Sequence, residues 1–364
     1  MKDGNNNLAA VIATMIAACM TFMVTVTGCT QTDDQGGKTN SGAVTGIEKQ
    51  DGNVSGTDAG NSDWGKLEDE EGKGNTGNTD KENNGQTVDT DIQKAQADES
   101  QGDTDMDPMT RMEYDRARLL AKTEYYNTLD NSCPQTWCFQ RKKDHSQSGT
   151  YENFKIADYN GVYVDENVTD SDKKIYLTFD CGYPSDLTVK ILDTLKKHNV
   201  KASFFVTQMY LEGCPEYAKR MKEEGHMVCN HTVTHTDLVK RDVEGVLDEI
   251  YGVAEYFYEL TGYEFDPYLR TPTGSYSKRL MTILEDAGYM TVFWSIAYGD
   301  YDPKNQPAAG YVTDHFATYH HNGAIALMHN DSPSNANELD AVLTLLEKQG
   351  YRFALLDELY ISQE

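Results

Sequence analysis

Residues 175–182 read IYLTFDCG and residues 185–198 read SDLTVKILDTLKKH. The first is a short run of β-favouring side chains that stops on Asp180. The second places Leu187, Ile191, Leu192 and Leu195 on one helical face. The same pattern recurs to the end of the chain. Further strands are predicted at Ala202–Val206, Met227–Asn230, Tyr268–Arg270, Thr291–Ser295, Ala324–Met328 and Phe353–Leu356. Further helices are predicted at Glu216–Glu224, Asp242–Leu260, Ser277–Ala287, Tyr311–His320 and Asn335–Lys348, with glycine close behind most of them. Alternation of this kind implies an α/β fold with a mostly parallel sheet and helices outside it. Seven units in about 190 residues fit a TIM-like barrel better than an open sheet. The barrel is expected over 174–361. Residues 108–173 read as a helix at Met112–Asn127 and then irregular chain packed on the barrel.

The N-terminal third reads differently. Leu8–Val26 is mostly apolar and is followed by Val26-Thr27-Gly28-Cys29, a small-residue cleavage site that ends on cysteine. This resembles a bacterial lipobox, which implies a signal peptide over 1–29, a lipid on Cys29 and a chain held on the outer face of the plasma membrane. An uncut signal anchor is the competing reading. Residues 30–107 hold 19 Asp and Glu against 6 Lys and Arg, a net −13 out of the chain's −27, with one Trp, one Leu, no Phe and no Tyr. That composition cannot bury enough apolar surface to offset chain entropy, so a disordered acidic linker is expected. As a flexible coil its reach is on the order of 50 Å. The overall charge argues against a nucleic-acid partner, because phosphate contacts need a basic face. Seven cysteines cannot all pair; Cys133 and Cys138 are near enough in sequence to bridge.

Asp180 directly follows the first strand, and the other polar residues of interest also follow strands. His231 and His235 come after the third, Arg270 ends the fourth, Asp300 follows the fifth by a short loop, and His329 follows the sixth. In a parallel α/β fold these strand ends share one rim, where sites form. Each residue has a plainer reading: Asp180 a turn cap, the histidine pair two surface residues, residues 270–274 a turn, His329 a core histidine. Five separate segments converging on one rim favour a site. His145, His198, His226, His315, His320 and His321 read as structural.

These residues resemble the five ordered motifs of the polysaccharide deacetylases, also called carbohydrate esterase family 4 or NodB-homology enzymes. The matching segments are Thr178-Phe-Asp-Cys-Gly182, His231-Thr-Val-Thr-His235, Arg270-Thr-Pro-Thr-Gly274, Trp294-Ser295 with Asp300-Tyr301, and Leu327-Met-His329. The resemblance spans about residues 174–359 and implies a distorted (β/α)7 barrel. Within the family it is most similar to delta-lactam-biosynthetic de-N-acetylases, which act on N-acetylmuramic acid, through YLRTPTG, VFWSIAYGDYD and the upstream 137–145 segment WCFQRKKDH. It implies a divalent ion, zinc first, on His231 and His235, with Asp180 as general base. Arg270 would orient Asp180, and His329 would be the general acid supported by Asp300. A backbone N–H near Gly182 or Tyr183 would meet the oxyanion, and Pro272, Trp294, Tyr301 and Leu327 would contact substrate. Most of the family carries a second Asp as third metal ligand where this chain has Cys181. A thiolate ligand, a two-histidine site completed by water and a weak metal site are all open. Peptidoglycan glycan strands are the expected partner. N-acetylglucosamine polymers as substrate, or a catalytically silent wall-binding protein, are the alternatives.

Overall fold

The computed structural model describes residues 106–359. The expected signal segment with Cys29, the expected acidic linker up to position 105, and positions 360–361 of the expected barrel lie outside the described residues. The strands are β1 Phe139–Gln140, β2 Gly149–Thr150, β3 Gly161–Val162, β4 Lys174–Cys181, β5 Ser203–Val206, β6 Met227–Asn230, β7 Asp266–Leu269, β8 Met290–Val292, β9 Ala324–His329 and β10 Arg352–Ala354. The helices are α1 Pro108–Leu120, α2 Thr123–Tyr126, α3 Leu187–Lys197, α4 Gln208–Gly213, α5 Pro215–Glu223, α6 Val243–Thr261, α7 Lys278–Asp286, α8 Tyr311–Tyr319 and α9 Pro333–Lys348.

Local chemistry sets most of these bounds. Asp107 accepts the Thr110 amide at 3.2 Å and Pro108 occupies the first turn, so α1 starts earlier than Met112. The chain breaks at Ala121 and Lys122, which divides the single expected helix into α1 and α2. Asp242 caps α6 through the Gly245 amide at 2.9 Å, and Gly262 ends it at φ 74°, where a side chain would be strained. Helix α4, capped by Thr207 on the Tyr210 amide, is too short to show a period in the sequence.

β4 is the hub of a parallel sheet. Its C-terminal half pairs with β5 and its N-terminal half with β10 along one edge, while β9 runs along the other from Ile175–Ala324 to Asp180–His329. From β5 the sheet continues through β6, β7 and β8 to β3. It curls round on itself: the Ser295 amide donates to the Ile325 carbonyl, the Leu327 amide to the Ile296 carbonyl, and Ile296 bridges to Ala326. This is the distorted (β/α)7 barrel. The expected strand Thr291–Ser295 ends at Val292, where its partners run out: β7 pairs with it as far as Thr291, and β3, a two-residue strand from the preceding extension on its other edge, as far as Val292. Side-chain alternation separates two apolar layers. Tyr176, Phe205, Cys229, Val292 and Ile325 fill the barrel, whereas Leu177, Phe179, Cys181, Phe204 and Val206 face outward under the helices.

The extension over 137–164 packs against one side of the barrel. Trp137 is 6% exposed, stacks on Phe293 at 4.6 Å between centroids, and donates Nε1–H to the Trp294 carbonyl at 2.8 Å. Its own amide donates to Gly274 at 2.7 Å. Arg141 donates to the Ala297 carbonyl at 2.6 Å and Ser148 to the Ser295 carbonyl at 2.9 Å. Cys133 is a free thiol, so it forms no bridge with Cys138. Replacing Trp137 by alanine removes a buried indole, its stack on Phe293 and its hydrogen bond to the Trp294 carbonyl. A destabilisation of about 3–5 kcal/mol is expected from the cavity, read as a shift of the urea midpoint, with Trp137→Phe losing much less.

Candidate active site

Asp180 closes β4 on the face that looks into the barrel mouth and is 6% exposed. Burial alone would keep a carboxyl there neutral. Arg270, just beyond β7 and fully buried, supplies the counter-charge: its Nη1 donates to Asp180 Oδ1 at 2.6 Å. Nη2 and Nε are occupied as well. Nη2 donates to Thr178 Oγ1 at 2.9 Å, Nε donates to the Val292 carbonyl at 3.0 Å, and the group lies 4.2 Å over the Phe205 ring. Against the burial, Arg270 first and then His231 and His329 hold Asp180 below the usual carboxylate range. Asp180 is therefore an ionised base in a dry pocket.

His231 and His235 follow β6 on a loop rather than a helix. The loop is built from left-handed residues, Thr232 at φ 73° and His235 at φ 55°. Such strain persists only where the surroundings over-determine it. Here Asn230 Oδ1 accepts the Thr232 amide at 2.9 Å, Thr232 Oγ1 accepts the His235 amide at 3.1 Å, and buried Glu249 on α6 accepts the Thr234 amide at 2.8 Å. The result brings the two rings to 4.9 Å between centroids. His231 Nδ1–H donates to the Arg270 carbonyl at 2.8 Å, which leaves its Nε2 lone pair facing Asp180 Oδ2 at 3.6 Å. Burial lowers both imidazole pKa values, that of His235 to about 3, so both rings are neutral at neutral pH.

His329 stands beside Asp180 as its register partner on β9. Its Nδ1–H donates to Asp300 Oδ1 at 2.8 Å and its amide to Asp300 Oδ2 at 2.9 Å. Burial opposes the imidazolium, but the Asp300 carboxylate outweighs it and raises the pKa to about 9. Asn335, at the start of α9, donates to Asp300 Oδ2 at 2.6 Å, and Tyr298 O–H donates to Asn335 Oδ1 at 2.8 Å. Neither Asn335 nor Tyr298, nor Thr178 and Glu249, was singled out from the sequence. Hydrogen-bonding partners that lie within ordinary strand or helix patterns carry no local signal.

The other expected residues divide. Gly182 has open space where a side chain would stand, and Tyr183 is 42% exposed beside it. Pro272 opens a buried turn that ends on Gly274, against which Trp294 packs. Tyr301 is 62% exposed with its ring 6.4 Å from that of His329, and Leu327 is buried on β9. Cys181 is not on this rim as a ligand. Strand alternation turns its side chain away from Asp180 into the outer apolar layer with Leu177 and Phe179, its sulfur meets the Phe179 carbonyl at 3.9 Å, and burial pushes its thiol well up. His226, His315, His320 and His321 are buried structural groups, and burial lowers each of their pKa values.

Two neutral imidazoles, one with its tautomer fixed by a backbone carbonyl, beside an ionised carboxylate make a donor set suited to a borderline divalent ion. No group of three His, Cys, Asp or Glu side chains among the described residues is arranged to hold a metal. Opposite this pair stands a protonated imidazole. A base and an acid with pKa values pushed apart on one rim is the arrangement that hydrolysis of an amide requires.

Comparison with known proteins agrees with the geometry. Residues 167–292 match the family described as polysaccharide deacetylase. The chain is 40% identical over 233 residues to the peptidoglycan-N-acetylmuramic acid deacetylase PdaA of Bacillus subtilis strain 168, covering 64% of this chain and 88% of that protein. It is 39% identical over 190 residues to the peptidoglycan-N-acetylglucosamine deacetylase PgdA of Listeria monocytogenes, covering 52% of this chain and 39% of that protein. The solved structure of Bacillus subtilis PdaA, a family 4 carbohydrate esterase, matches with a TM-score of 0.59 at 39% identity, over 63% of this chain and 98% of that one. A family 4 carbohydrate esterase from Bacillus anthracis matches with a TM-score of 0.51 at 33% identity, over 64% of this chain and 97% of that one. The chain belongs to the polysaccharide deacetylase family.

Proposed function

We propose that this chain removes N-acetyl groups from peptidoglycan amino sugars, with N-acetylmuramic acid as its substrate and a divalent ion, zinc by preference, on His231 and His235. The observation that carries the reading is the juxtaposition of an ionised Asp180 and a protonated His329 at register-paired strand ends. The similarity to PdaA over most of that protein's length supports the choice of sugar. When bound, the ion would polarise the acetyl carbonyl and acidify water beside it.

The chain's own groups account for the proton traffic. Asp180 takes the proton of the attacking water as its oxygen adds to the acetyl carbon. Arg270 keeps the carboxylate oriented and ionised until then. The oxyanion meets a backbone N–H near Gly182 or Tyr183, where the cleft is open. His329 then gives its Nε2 proton to the sugar nitrogen as the C–N bond breaks, and Asp300 stabilises the imidazolium beforehand. Acetate and a free amine leave. On a muramic acid residue that amine stands near the lactyl carboxyl, which suits later delta-lactam closure. We further propose that Cys29 carries a lipid that holds the enzyme on the outer face of the membrane; this rests on the sequence of residues 8–29.

Three outcomes are expected. Asp180→Asn and His329→Ala each abolish acetate release from purified glycan strands while circular dichroism is unchanged, and mass analysis of parent product finds the loss on muramic acid. Turnover preserved in either variant removes the acid–base assignment. In the metal-free protein the His329 ring titrates near 9 by NMR. The pairing with Asp300 adds stability below the unfolded pKa of about 6.5, and that stability is lost as pH rises through 9. Asp300→Asn lowers the midpoint, and so does added zinc, through its own charge. Finally, Cys29→Ala releases the protein into the medium; retention on the membrane points to an uncut anchor instead.

A further inference from the structure

The acid side of the site contains more than a histidine and its carboxylate. Asp300 is 1% exposed, and its two oxygens are used differently. Oδ1 faces the His329 ring alone, whereas Oδ2 accepts both the His329 amide at 2.9 Å and Asn335 Nδ2 at 2.6 Å. A carboxylate free to turn about its Cβ–Cγ bond could present either oxygen to the ring, or both at an angle. Two donors on Oδ2 remove that freedom. Asn335 is itself fully buried in the first turn of α9, with its amide donating to Ser332 Oγ at 3.2 Å. Its side-chain nitrogen also donates to the His329 carbonyl at 3.1 Å, so it grips both members of the pair.

An amide side chain can sit either way round, and the reversed orientation would point Oδ1 at the Asp300 carboxylate. The Asp300 carboxylate and the His329 carbonyl, which can only accept, exclude this, and the arrangement is completed by Tyr298. Its hydroxyl donates to Asn335 Oδ1 at 2.8 Å, and the ring is buried against His315 at 4.9 Å. Donation therefore runs from Tyr298 through Asn335 to Asp300, where it meets the opposing donation from His329 Nδ1. We propose that Asn335, backed by Tyr298, is a positioning residue that fixes which oxygen of Asp300 meets His329 and so sets the aim of the acid. This rests on the reading of His329 as the acid and extends it. The other titratable groups that face the chain are Asp180 on β4, His231 beyond β6, Asp331 beyond β9, Glu338 on α9, and Tyr311 with His315 on α8.

The test uses the zinc-loaded full chain and acetate release from glycan strands. Asn335→Ala is expected to lower kcat roughly tenfold with KM little changed, the loss of one hydrogen bond to a charged group. Tyr298→Phe lowers kcat about threefold, since a neutral hydrogen bond one step removed is weaker. Asn335→Asp is the decisive variant, because it keeps the shape and replaces the donor with a second carboxyl beside Asp300. Two carboxyls so close share a proton. That variant works only when the new carboxyl is protonated and can donate, so its pH optimum moves acid by about one unit or more. A packing role alone would not move the optimum acid, since a second carboxylate beside Asp300 favours the His329 imidazolium and moves the profile the other way. Parent kcat in Asn335→Ala, or a pH profile in Asn335→Asp that stays in place or moves alkaline, overturns the proposal. If Asn335→Ala fails to fold, the two near-isosteric variants decide. His329→Ala separates the levels: turnover in it removes the acid reading itself, whereas an inactive His329→Ala with an unshifted Asn335→Asp removes only the positioning role.

Discussion

A carboxylate and a guanidinium, both out of reach of water, meet at 2.6 Å inside the mouth of this barrel, and much of the site is arranged around that contact. Neither charge could be buried alone; an unpaired buried ion costs several kcal/mol. Arg270 meets the cost by using the hydroxyl of Thr178, the carbonyl of Val292 and the face of Phe205 as well as Asp180. In doing so it ties β4, β7 and the end of β8 together at their C-terminal ends. Its own carbonyl then fixes the tautomer of His231. One side chain and its backbone thus hold Asp180 ionised, align the His231 imidazole and brace the rim.

Much of this was legible from residues 175–182 onward. The hub strand, the helix after it and the order of polar residues at strand ends follow from apolar periodicity and from where each run stops, and both survive in the structure because burial enforces them. What was not legible has particular causes. β3 is two residues long and forms only because β8 offers a free edge, so no pattern within 108–173 announces it. The loop carrying His231 and His235 depends on two left-handed residues held by Asn230, Thr232 and Glu249, a tertiary effect invisible at four-residue spacing. Cys181 was open as a ligand because its position follows Asp180 directly. The two-residue period of a strand puts neighbours on opposite faces, and that assigns it to the outer apolar layer.

The extension over 137–164 belongs to the site's architecture more than its place in the chain suggests. Trp137, Arg141 and Ser148 hold the carbonyls of Trp294, Ala297 and Ser295. The segment so held delivers Tyr298 and Asp300 to His329, and it closes the barrel against β9 through Ile296. A barrel lacking these contacts would hold the loop that carries Asp300 by fewer anchors.

The pairing of Asp180 with His329 across β4 and β9 has a consequence for scale. Neighbouring strands in any sheet lie about 4.8 Å apart, a spacing fixed by backbone hydrogen bonds and the same in every protein. In the proposed reaction the donor and the acceptor of protons are mounted on adjacent strands of that lattice. Their separation is consequently inherited from the peptide group, whereas loops around the rim can reshape what enters without altering the gauge on which the bond is cut.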